Sequence, residues 1–299
     1  MSDLADLQAR AASDGDAAMA LAEHYLLGIG CAPDQQAAYR AVEQAARLSH
    51  QDGRRAWVYL TAAGIGRAPD LEAAKGMLKA LAAEDRFAGV QLAFLDHVSC
   101  ERRVAEITPD IVSADPYIAI YPGLFSAAEC RYLMLLGTPW MERARVIDEA
   151  TGQGVIDAIR DADTSSFPHL AEDLVVQAIN RCIAAATATE PGWGEPMSIL
   201  RYAPGQQYHP HHDARGARDR AALRRLTALI WLNADFEGGE TEFPTLKLKL
   251  RGGVGDLLVF RNVTADGKPD ERMMHAGLPV TAGVKWMASR WIRGENYLK

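Results

Sequence analysis

The chain has 299 residues, 48% of them apolar, which is enough for two ordinary domains. Its formal net charge of -7 argues against nucleic acid or an anionic membrane surface as the main partner. The N-terminal residues MSDLADLQAR lack the layout of a secretory signal, and no apolar stretch approaches the roughly 18 residues of a membrane-spanning helix.

The cysteines are few and widely spaced. The chain has four of them and no C-x-x-C pair, which predicts reduced thiols rather than a disulfide framework. Reduced thiols in turn favour a cytoplasmic location. These residues are Cys31, Cys100, Cys130 and Cys182.

The first hundred residues are rich in alanine and contain an internal repeat. YLLGIGCAPDQQAA at 25–38 recurs as LTAAGIGRAPDLEAA at 60–74, with a shift of 36 residues between matching positions. In each copy the glycines end one helix and an aspartate, Asp34 or Asp70, can cap the next. A period of this length predicts stacked helical pairs, with an incomplete third copy at 86–97.

This repeat resembles the Sel-like branch of the tetratricopeptide superfamily over about residues 13–97. The resemblance implies a protein-interaction scaffold, which would recruit a protein partner or substrate. A second interpretation stays open, in which so short an array only buttresses the rest of the chain.

From about Asp110 the sequence pattern changes to short β-rich runs separated by glycine and proline turns. Two segments, 125–136 and 173–187, have helical periodicity, and Ser126 with Glu129 forms a capping-box pattern at the start of the first. Many short strands with outer helices are typical of a sandwich or jelly roll. The β-rich runs are YIAIY, MSILRY, LTALIWLN, KLKL, DLLVF and GLPV.

The sequence therefore predicts a multidomain α and β protein. An N-terminal α-α repeat, or short solenoid, precedes a double-stranded β-helix (jelly roll) with flanking helices. The predicted domains are a helical repeat domain at 1–100, a linker at 101–116 and a β-domain at 117–299.

The stretch RYAPGQQYHPHHDA at 201–214 carries the first candidate metal ligands. Residues two apart share one face of a strand, so His211 and Asp213 can reach one ion together. His275 lies before a late apolar strand, and early and late core strands of a double-stranded β-helix end side by side. Two histidines and one carboxylate form the ligand face that is diagnostic of non-haem Fe(II) oxygenases.

Lys285 stands in the otherwise apolar run VKWMASRWI. A buried ammonium is costly unless an anion meets it, and the far carboxylate of 2-oxoglutarate is a suitable anion. Thr227 on LTALIWLN is a candidate for a hydrogen bond to the same carboxylate. The alternative for Lys285 is a strand-edge side chain that extends to water.

Residues 117–299 resemble the prolyl 4-hydroxylase branch of the Fe(II)- and 2-oxoglutarate-dependent dioxygenases. The family pattern Y-x-x-G-x-x-Y-x-x-H-x-D occurs here, and GDLLVF and HAGLPVTAGVKW match the last core strands. The resemblance implies iron ligands at His211, Asp213 and His275. It also implies a salt bridge from Lys285 to 2-oxoglutarate and contacts from Tyr202 and Thr227 to this co-substrate.

The implied cofactors are Fe(II), the co-substrate 2-oxoglutarate and O2, with ascorbate as a further candidate. The implied reaction hydroxylates a C–H bond, with a prolyl residue of a peptide or protein as the favoured target, and releases succinate and CO2. Two alternatives stay open. One is a hydroxylase of a free amino acid or another side chain, and the other is a repeat-based interaction protein whose β-domain binds metal without turnover.

Two segments depart from the family pattern where substrate is expected. Residues 142–167 align loosely with a flap over the active site, and 214–226 carry five arginines directly after the metal pair. These arginines either hold an acidic substrate or belong to a solvated loop. His209 is a strand-end residue or a substrate contact, and Trp291 is a core residue that could also line the cleft.

Overall fold

The computed structural model of the protein describes residues 3–95, 100–147, 154–155, 159–214 and 223–298. The chain forms two units. The first contains Met1–Cys100, Phe167–Arg181 and Leu298–Lys299, and the second contains Glu101–Ser166 and Cys182–Tyr297.

The first unit is helical, and its helices begin and end where the repeat predicts. Asp34 and Asp70 each accept a hydrogen bond at 2.9 Å from the backbone amide three residues later, and so cap the second helix of each pair. Gly28 and Gly64 end the first helices in the left-handed conformation, with φ of 69° and 74°. The predicted helical pairs are therefore present. The helices are α1 (Leu4–Arg10), α2 (Gly15–Leu27), α3 (Gln35–Arg47), α4 (Gln51–Ala63), α5 (Leu71–Leu81) and α6 (Arg86–Leu95).

Residues 167–181 complete this helical unit although they lie far along the chain. They include the start of a helix, α9 (Leu174–Thr187), which Asp173 caps by accepting from the amides of residues 175 and 176. Leu174 is fully buried among side chains of α4 and α5, including Tyr59 and Leu78. Gln177 also donates a hydrogen bond at 3.0 Å to the Tyr59 carbonyl. Periodicity predicts this helix, but it does not predict that residues 167–181 belong to the helical unit.

The second unit is mainly antiparallel sheet. One sheet has eight strands in the order β1-β2-β14-β10-β17-β8-β7-β3, and a second has five in the order β13-β12-β15-β9-β6. The first of these contains β1 (Asp110–Ala114), β2 (Tyr117–Tyr121), β3 (Glu142–Arg143), β7 (Asp163–Ser166), β8 (Ser198–Tyr202), β10 (Leu226–Trp231), β14 (Leu257–Arg261) and β17 (Lys285–Ile292). The second contains β6 (Arg160–Asp161), β9 (Gln207–His211), β12 (Thr241–Phe243), β13 (Leu248–Leu250) and β15 (His275–Gly277).

Two further strand pairs and two helices belong to the same part of the chain. The pairs are β4 (Val146–Ile147) with β5 (Gly154–Val155), and β11 (Phe236–Gly238) with β16 (Val280–Gly283). The helices are α7 (Cys100–Glu106) and α8 (Ala127–Gly137). The predicted capping box of α8 is present, because Ser126 and Glu129 exchange hydrogen bonds at 3.2 and 2.8 Å.

The core of the second unit lies between the two large sheets. Leu258, Phe260 and Met287 come from the eight-stranded sheet, and Phe243 from the five-stranded sheet packs in the same buried cluster. Phe243 meets Phe260 edge to face with ring centroids 5.1 Å apart. Two antiparallel sheets around one apolar core form the predicted double-stranded β-helix.

The cysteines differ from the sequence-based expectation. Cys31 and Cys130 are free thiols, but Cys182 is disulfide-bonded, so the prediction of reduced thiols is wrong for this residue. Sequence spacing does not show which distant cysteines a fold brings together. The cytoplasmic location stays a prediction.

Within the described ranges, no helix combines the length and apolar character needed to cross a membrane.

The packing of residues 167–181 makes a testable prediction about stability. Leu174→Ala should lower the free energy of unfolding by about 2–5 kcal/mol, since it opens a cavity among α4 and α5. It should also speed amide hydrogen exchange in these two helices. Leu135→Ala is the matched control, because Leu135 on α8 is 73% exposed and its loss should change stability by no more than about 0.5 kcal/mol. Unchanged exchange in α4 and α5 would contradict the packing role of Leu174.

Candidate active site

The pairing of β9 with β15 brings the predicted metal ligands together. His211 at the end of β9 is directly opposite His275 at the start of β15, and Asp213 follows two residues after His211. Their candidate ligand atoms all lie within 4.8 Å of one another. The Nε2 atoms of His211 and His275 each lie 3.6 Å from an oxygen of Asp213. In the described part of the chain, this is the one cluster of at least three potential metal-ligating side chains.

Backbone carbonyls fix the orientation of both imidazole rings. His211 Nδ1 is 2.9 Å from the His209 carbonyl, and His275 Nδ1 is 3.0 Å from the Met273 carbonyl. A carbonyl only accepts, so each ring has its proton on Nδ1 and keeps the Nε2 lone pair for a cation. Both lone pairs face the Asp213 carboxylate, which is the donor set that a divalent iron ion requires.

The protonation states of this cluster also suit a cation. Burial, together with the neighbouring His275, lowers the pKa of His211, so its ring is neutral at physiological pH. Burial opposes ionisation of Asp213, but the neighbouring His275 and His211 rings outweigh it and lower the pKa of the carboxyl. His211 therefore offers a neutral imidazole nitrogen, and Asp213 offers an anionic oxygen.

A cavity opens beside these ligands. Its walls include every site residue predicted from the sequence, together with further aromatic and cationic side chains. The predicted ones are Tyr202, His211, Asp213, Thr227, His275 and Lys285, and the further aromatic and cationic ones are Arg160, Tyr208 and Trp291.

Lys285 presents a buried ammonium group to this cavity. The residue is only 4% exposed, so the alternative of a strand-edge lysine that extends to water does not hold. Its Nζ donates to the Gly239 carbonyl at 2.6 Å and lies 5.5 Å from the centre of the Tyr202 ring. Burial lowers the pKa of Lys285 to about 8. An ammonium has three donors, so this group can also bind an anion within the cavity.

Tyr202 and Thr227 lie in this cavity but differ in their contacts. Tyr202 is opposite Lys285 in the pairing of β8 with β17, and burial raises the pKa of its hydroxyl, which therefore keeps its proton. The Thr227 hydroxyl donates to Asp213 Oδ2 at 2.6 Å and accepts from Asn262 Nδ2 at 2.8 Å. Asn262 gave no signal in the sequence, because it follows β14 without a motif of its own.

Aromatic and cationic side chains form another wall of the cavity. The Tyr208 ring stacks on the His211 ring at 3.5 Å with an interplanar angle of 13°. The Arg160 guanidinium lies 5.2 Å from the Tyr208 ring centre and 5.9 Å from that of Trp291. Arg160 is 8% exposed, and its Nε has no hydrogen-bond partner in the structure. In the sequence Arg160 is only one residue within the loosely aligned flap segment 142–167.

Arg224 is held against Trp291 and is not a freely solvated side chain. Its guanidinium lies 3.6 Å from the Trp291 ring centre and donates two hydrogen bonds of 2.9 Å to Glu195. Arg293 donates to the same carboxylate at 3.0 Å. Of the arginine-rich segment, residues 215–222 lie outside the described residues, as do 148–153 and 156–158 of the flap segment.

The two histidines beside His211 are not part of the ligand cluster. His209 is exposed. His212 is 8% exposed and accepts from the Ala214 amide at 3.1 Å, while its Nε2 donates to the Asp270 carbonyl at 2.7 Å. His212 therefore connects the end of β9 to the segment that precedes β15.

Comparison with known proteins agrees with this geometry. Residues 197–293 match the 2OG-Fe(II) oxygenase superfamily. The chain is 33% identical over 208 residues to prolyl 4-hydroxylase 1 of Arabidopsis thaliana, across 64% of this chain and 74% of that protein. It is 32% identical over 216 residues to probable prolyl 4-hydroxylase 10 of the same plant, across 63% and 72% of the two chains.

A solved structure of similar sequence is the viral collagen prolyl hydroxylase of Paramecium Bursaria Chlorella virus-1 in its 2OG complex. It is 27% identical, with 62% of this chain and 99% of that chain covered and a TM-score of 0.49. The extent of the match to prolyl 4-hydroxylase 1, together with the ligand cluster, defines the family. The chain belongs to the 2OG-Fe(II) oxygenase superfamily as a prolyl 4-hydroxylase-like dioxygenase that uses Fe(II), 2-oxoglutarate and O2.

Proposed function

We propose that the protein hydroxylates a prolyl residue of a peptide or protein, with release of succinate and CO2. The observation that carries this proposal is one cavity that combines His211, Asp213 and His275 with the buried ammonium of Lys285. The two plant relatives described above are named prolyl 4-hydroxylase 1 and probable prolyl 4-hydroxylase 10, which supports proline as the target.

In this proposal His211, Asp213 and His275 hold the iron ion through two Nε2 atoms and one carboxylate oxygen. Bound there, iron supplies the activation of dioxygen that couples oxidation of 2-oxoglutarate to hydroxylation of a C–H bond. Three protein ligands leave coordination positions for the co-substrate and dioxygen. The apolar surroundings of the cavity exclude bulk water from the reacting atoms.

Lys285 binds the far carboxylate of 2-oxoglutarate, and the protonated hydroxyl of Tyr202 is placed to donate to the same ligand. Both side chains are buried, at 4% and 6% exposure, so a charge-assisted bond formed there is poorly screened by solvent. The co-substrate carboxylate also gives the Lys285 ammonium an anionic partner in addition to the backbone carbonyl to which it is bonded.

The wall formed by Arg160, Tyr208 and Trp291 receives the substrate. Flat aromatic surfaces suit an apolar pyrrolidine ring, and Arg160 has an unpartnered buried Nε that can donate to a substrate carbonyl. Free proline has a charged carboxylate where a prolyl residue of a peptide has an amide. An assay that offers both compounds therefore shows which of the two the protein hydroxylates.

We also propose that the helical unit recruits a protein substrate and that ascorbate keeps the iron reduced. The first proposal is supported by a polar groove of the helical unit lined by Tyr25, Asp34, Gln35 and Arg67. A substrate held there would have a raised effective concentration at the cavity. The proposal for ascorbate rests on the family resemblance alone.

The metal assignment predicts the effect of single substitutions. His211→Ala, Asp213→Ala and His275→Ala should each abolish Fe(II) binding in anaerobic titration and succinate formation in oxygen, because each removes one of three ligands. His209→Ala is the control and should retain both, since His209 is exposed and outside the cluster. Retained Fe(II) binding after loss of any of the three would refute the assignment.

The lowered pKa of Lys285 predicts a pH dependence of co-substrate affinity. The charged form binds the carboxylate, so affinity should be constant well below pH 8 and fall roughly tenfold per pH unit above the pKa of about 8. Titration calorimetry of 2-oxoglutarate under anaerobic conditions measures this directly. Lys285→Arg should lose the pH dependence, because arginine stays protonated. Constant affinity in the wild type to a full unit above that pKa would remove Lys285 from the binding site.

The substrate assignment predicts that a proline-rich peptide gains the mass of one oxygen atom on a prolyl residue. Arg160→Ala should lower kcat/KM for this peptide roughly 10–100-fold, which corresponds to one charge-assisted hydrogen bond, while Fe(II) affinity stays unchanged. Arg261→Ala is the control, because Arg261 is exposed at the end of β14. Hydroxylation of free proline in preference to the peptide would identify an amino acid hydroxylase instead.

A further inference from the structure

The carboxylate of Asp213 is held by a chain of two hydrogen bonds. The Thr227 hydroxyl donates to Asp213 Oδ2 at 2.6 Å, and the Asn262 amide donates to the Thr227 oxygen at 2.8 Å. Thr227 is 1% exposed and Asn262 is fully buried, so water does not compete for these bonds.

The direction of this chain follows from its end groups. An ionised carboxylate only accepts and an amide NH2 only donates, so the single proton of the Thr227 hydroxyl is available to Asp213. If the amide were reversed, Asn262 Oδ1 would compete for that same proton. The orientation present leaves Asn262 Oδ1 buried without a hydrogen-bond partner, which is costly. The hydrogen bond that Asn262 Nδ2 donates to the Thr227 oxygen favours this orientation.

The sheet anchors the two donors more firmly than Asp213 itself. Thr227 on β10 is opposite Phe260 on β14, and Asn262 follows β14 directly. The Asn262 backbone bonds to Arg225 and Asp270, at 2.9 Å in each case. Asp213 lies beyond the end of β9 instead, where no strand pairing fixes it. Its carboxylate therefore takes its position from Thr227.

We propose that Thr227 and Asn262 are positioning residues that preset the Asp213 carboxylate for a divalent cation. Thr227 engages Oδ2 and leaves Oδ1 as the freer oxygen for the ion, and Asn262 acts only through Thr227. This inference rests on the metal site of the proposed function. It replaces the sequence-based expectation of a contact from Thr227 to the co-substrate with a contact to a metal ligand.

Anaerobic titration of the metal-free protein with Fe(II), or with Co(II) as a coloured substitute, tests the role of Thr227. Thr227→Val keeps the side-chain shape but removes the hydroxyl, and it should weaken metal affinity by about tenfold or more. Thr227→Ser keeps the hydroxyl and should restore affinity to within a few-fold of the wild type. If thermal unfolding of the metal-free protein shows that the valine variant does not fold, Thr227→Ala takes its place. Wild-type affinity in a folded variant without the hydroxyl would overturn the proposal.

A double-mutant cycle tests whether Asn262 acts through Thr227. Asn262→Ala should weaken metal affinity in the same direction, but it should cause no further loss in the Thr227→Val background. Independent, additive losses would exclude a chain of two bonds. Asn233→Ala and Thr187→Val are the matched controls, since their side chains bond to Val284 and Ile183 and not to the site. Both controls should bind metal as the wild type does.

A second titration separates this role from a direct contact with 2-oxoglutarate. The co-substrate is added to each metal-saturated variant without oxygen. Weakened 2-oxoglutarate binding in Thr227→Val with unchanged metal affinity would overturn the positioning role and favour the direct contact. Neither titration contains a prolyl substrate or involves turnover. The role of Thr227 can therefore be tested even if the protein does not hydroxylate proline.

Discussion

The pairing of β9 with β15 is the constraint on which the site depends. It places the rings of His211 and His275 4.3 Å apart across two neighbouring strands, with Asp213 just beyond the end of one. Side chains alternate along a strand, so a slip of one residue would turn one imidazole to the opposite face and remove it from the cluster. The ligands lie on the five-stranded sheet, whereas Tyr202, Thr227 and Lys285 lie on the eight-stranded sheet that faces it. The cavity therefore exists only when both sheets are correctly packed.

The cations at and beside the cavity differ in their partners. Arg224 is neutralised by Glu195 through two hydrogen bonds and braces Trp291. Within the part of the chain that the structure describes, the Arg160 Nε has no hydrogen-bond partner, and the Lys285 ammonium donates to a backbone carbonyl rather than to a carboxylate. A buried cation without an anionic partner is costly to the fold, and such groups occur at functional sites where a ligand supplies the anion or acceptor. The two cations line the cavity walls proposed for the substrate and the co-substrate.

Local patterns carried most of what the sequence could predict. The spacing of His211 and Asp213 reflects the two-residue period of a strand, and the Asp34 and Asp70 caps reflect unpaired amides at helix starts. Lys285 was recognisable because a charge stood within an apolar strand. The contacts of Asn262 and Arg160 were not predictable, since they depend on which distant strands meet. For the same reason the hydrogen bond from the Thr227 hydroxyl to Asp213 was not predictable.

The contribution of residues 167–181 to the helical unit has a consequence for synthesis of the chain. Translation proceeds from the N-terminus, so α1 to α6 leave the ribosome before residues 167–181 are made. These helices therefore lack Leu174, which packs against α4 and α5 in the folded protein. At about 5–20 residues per second, the chain between residues 100 and 181 takes roughly 4–16 s to make. During that interval the part of the apolar surface of α4 and α5 that Leu174 later covers stays uncovered. Chaperone binding to the nascent protein is therefore expected to be concentrated at this surface.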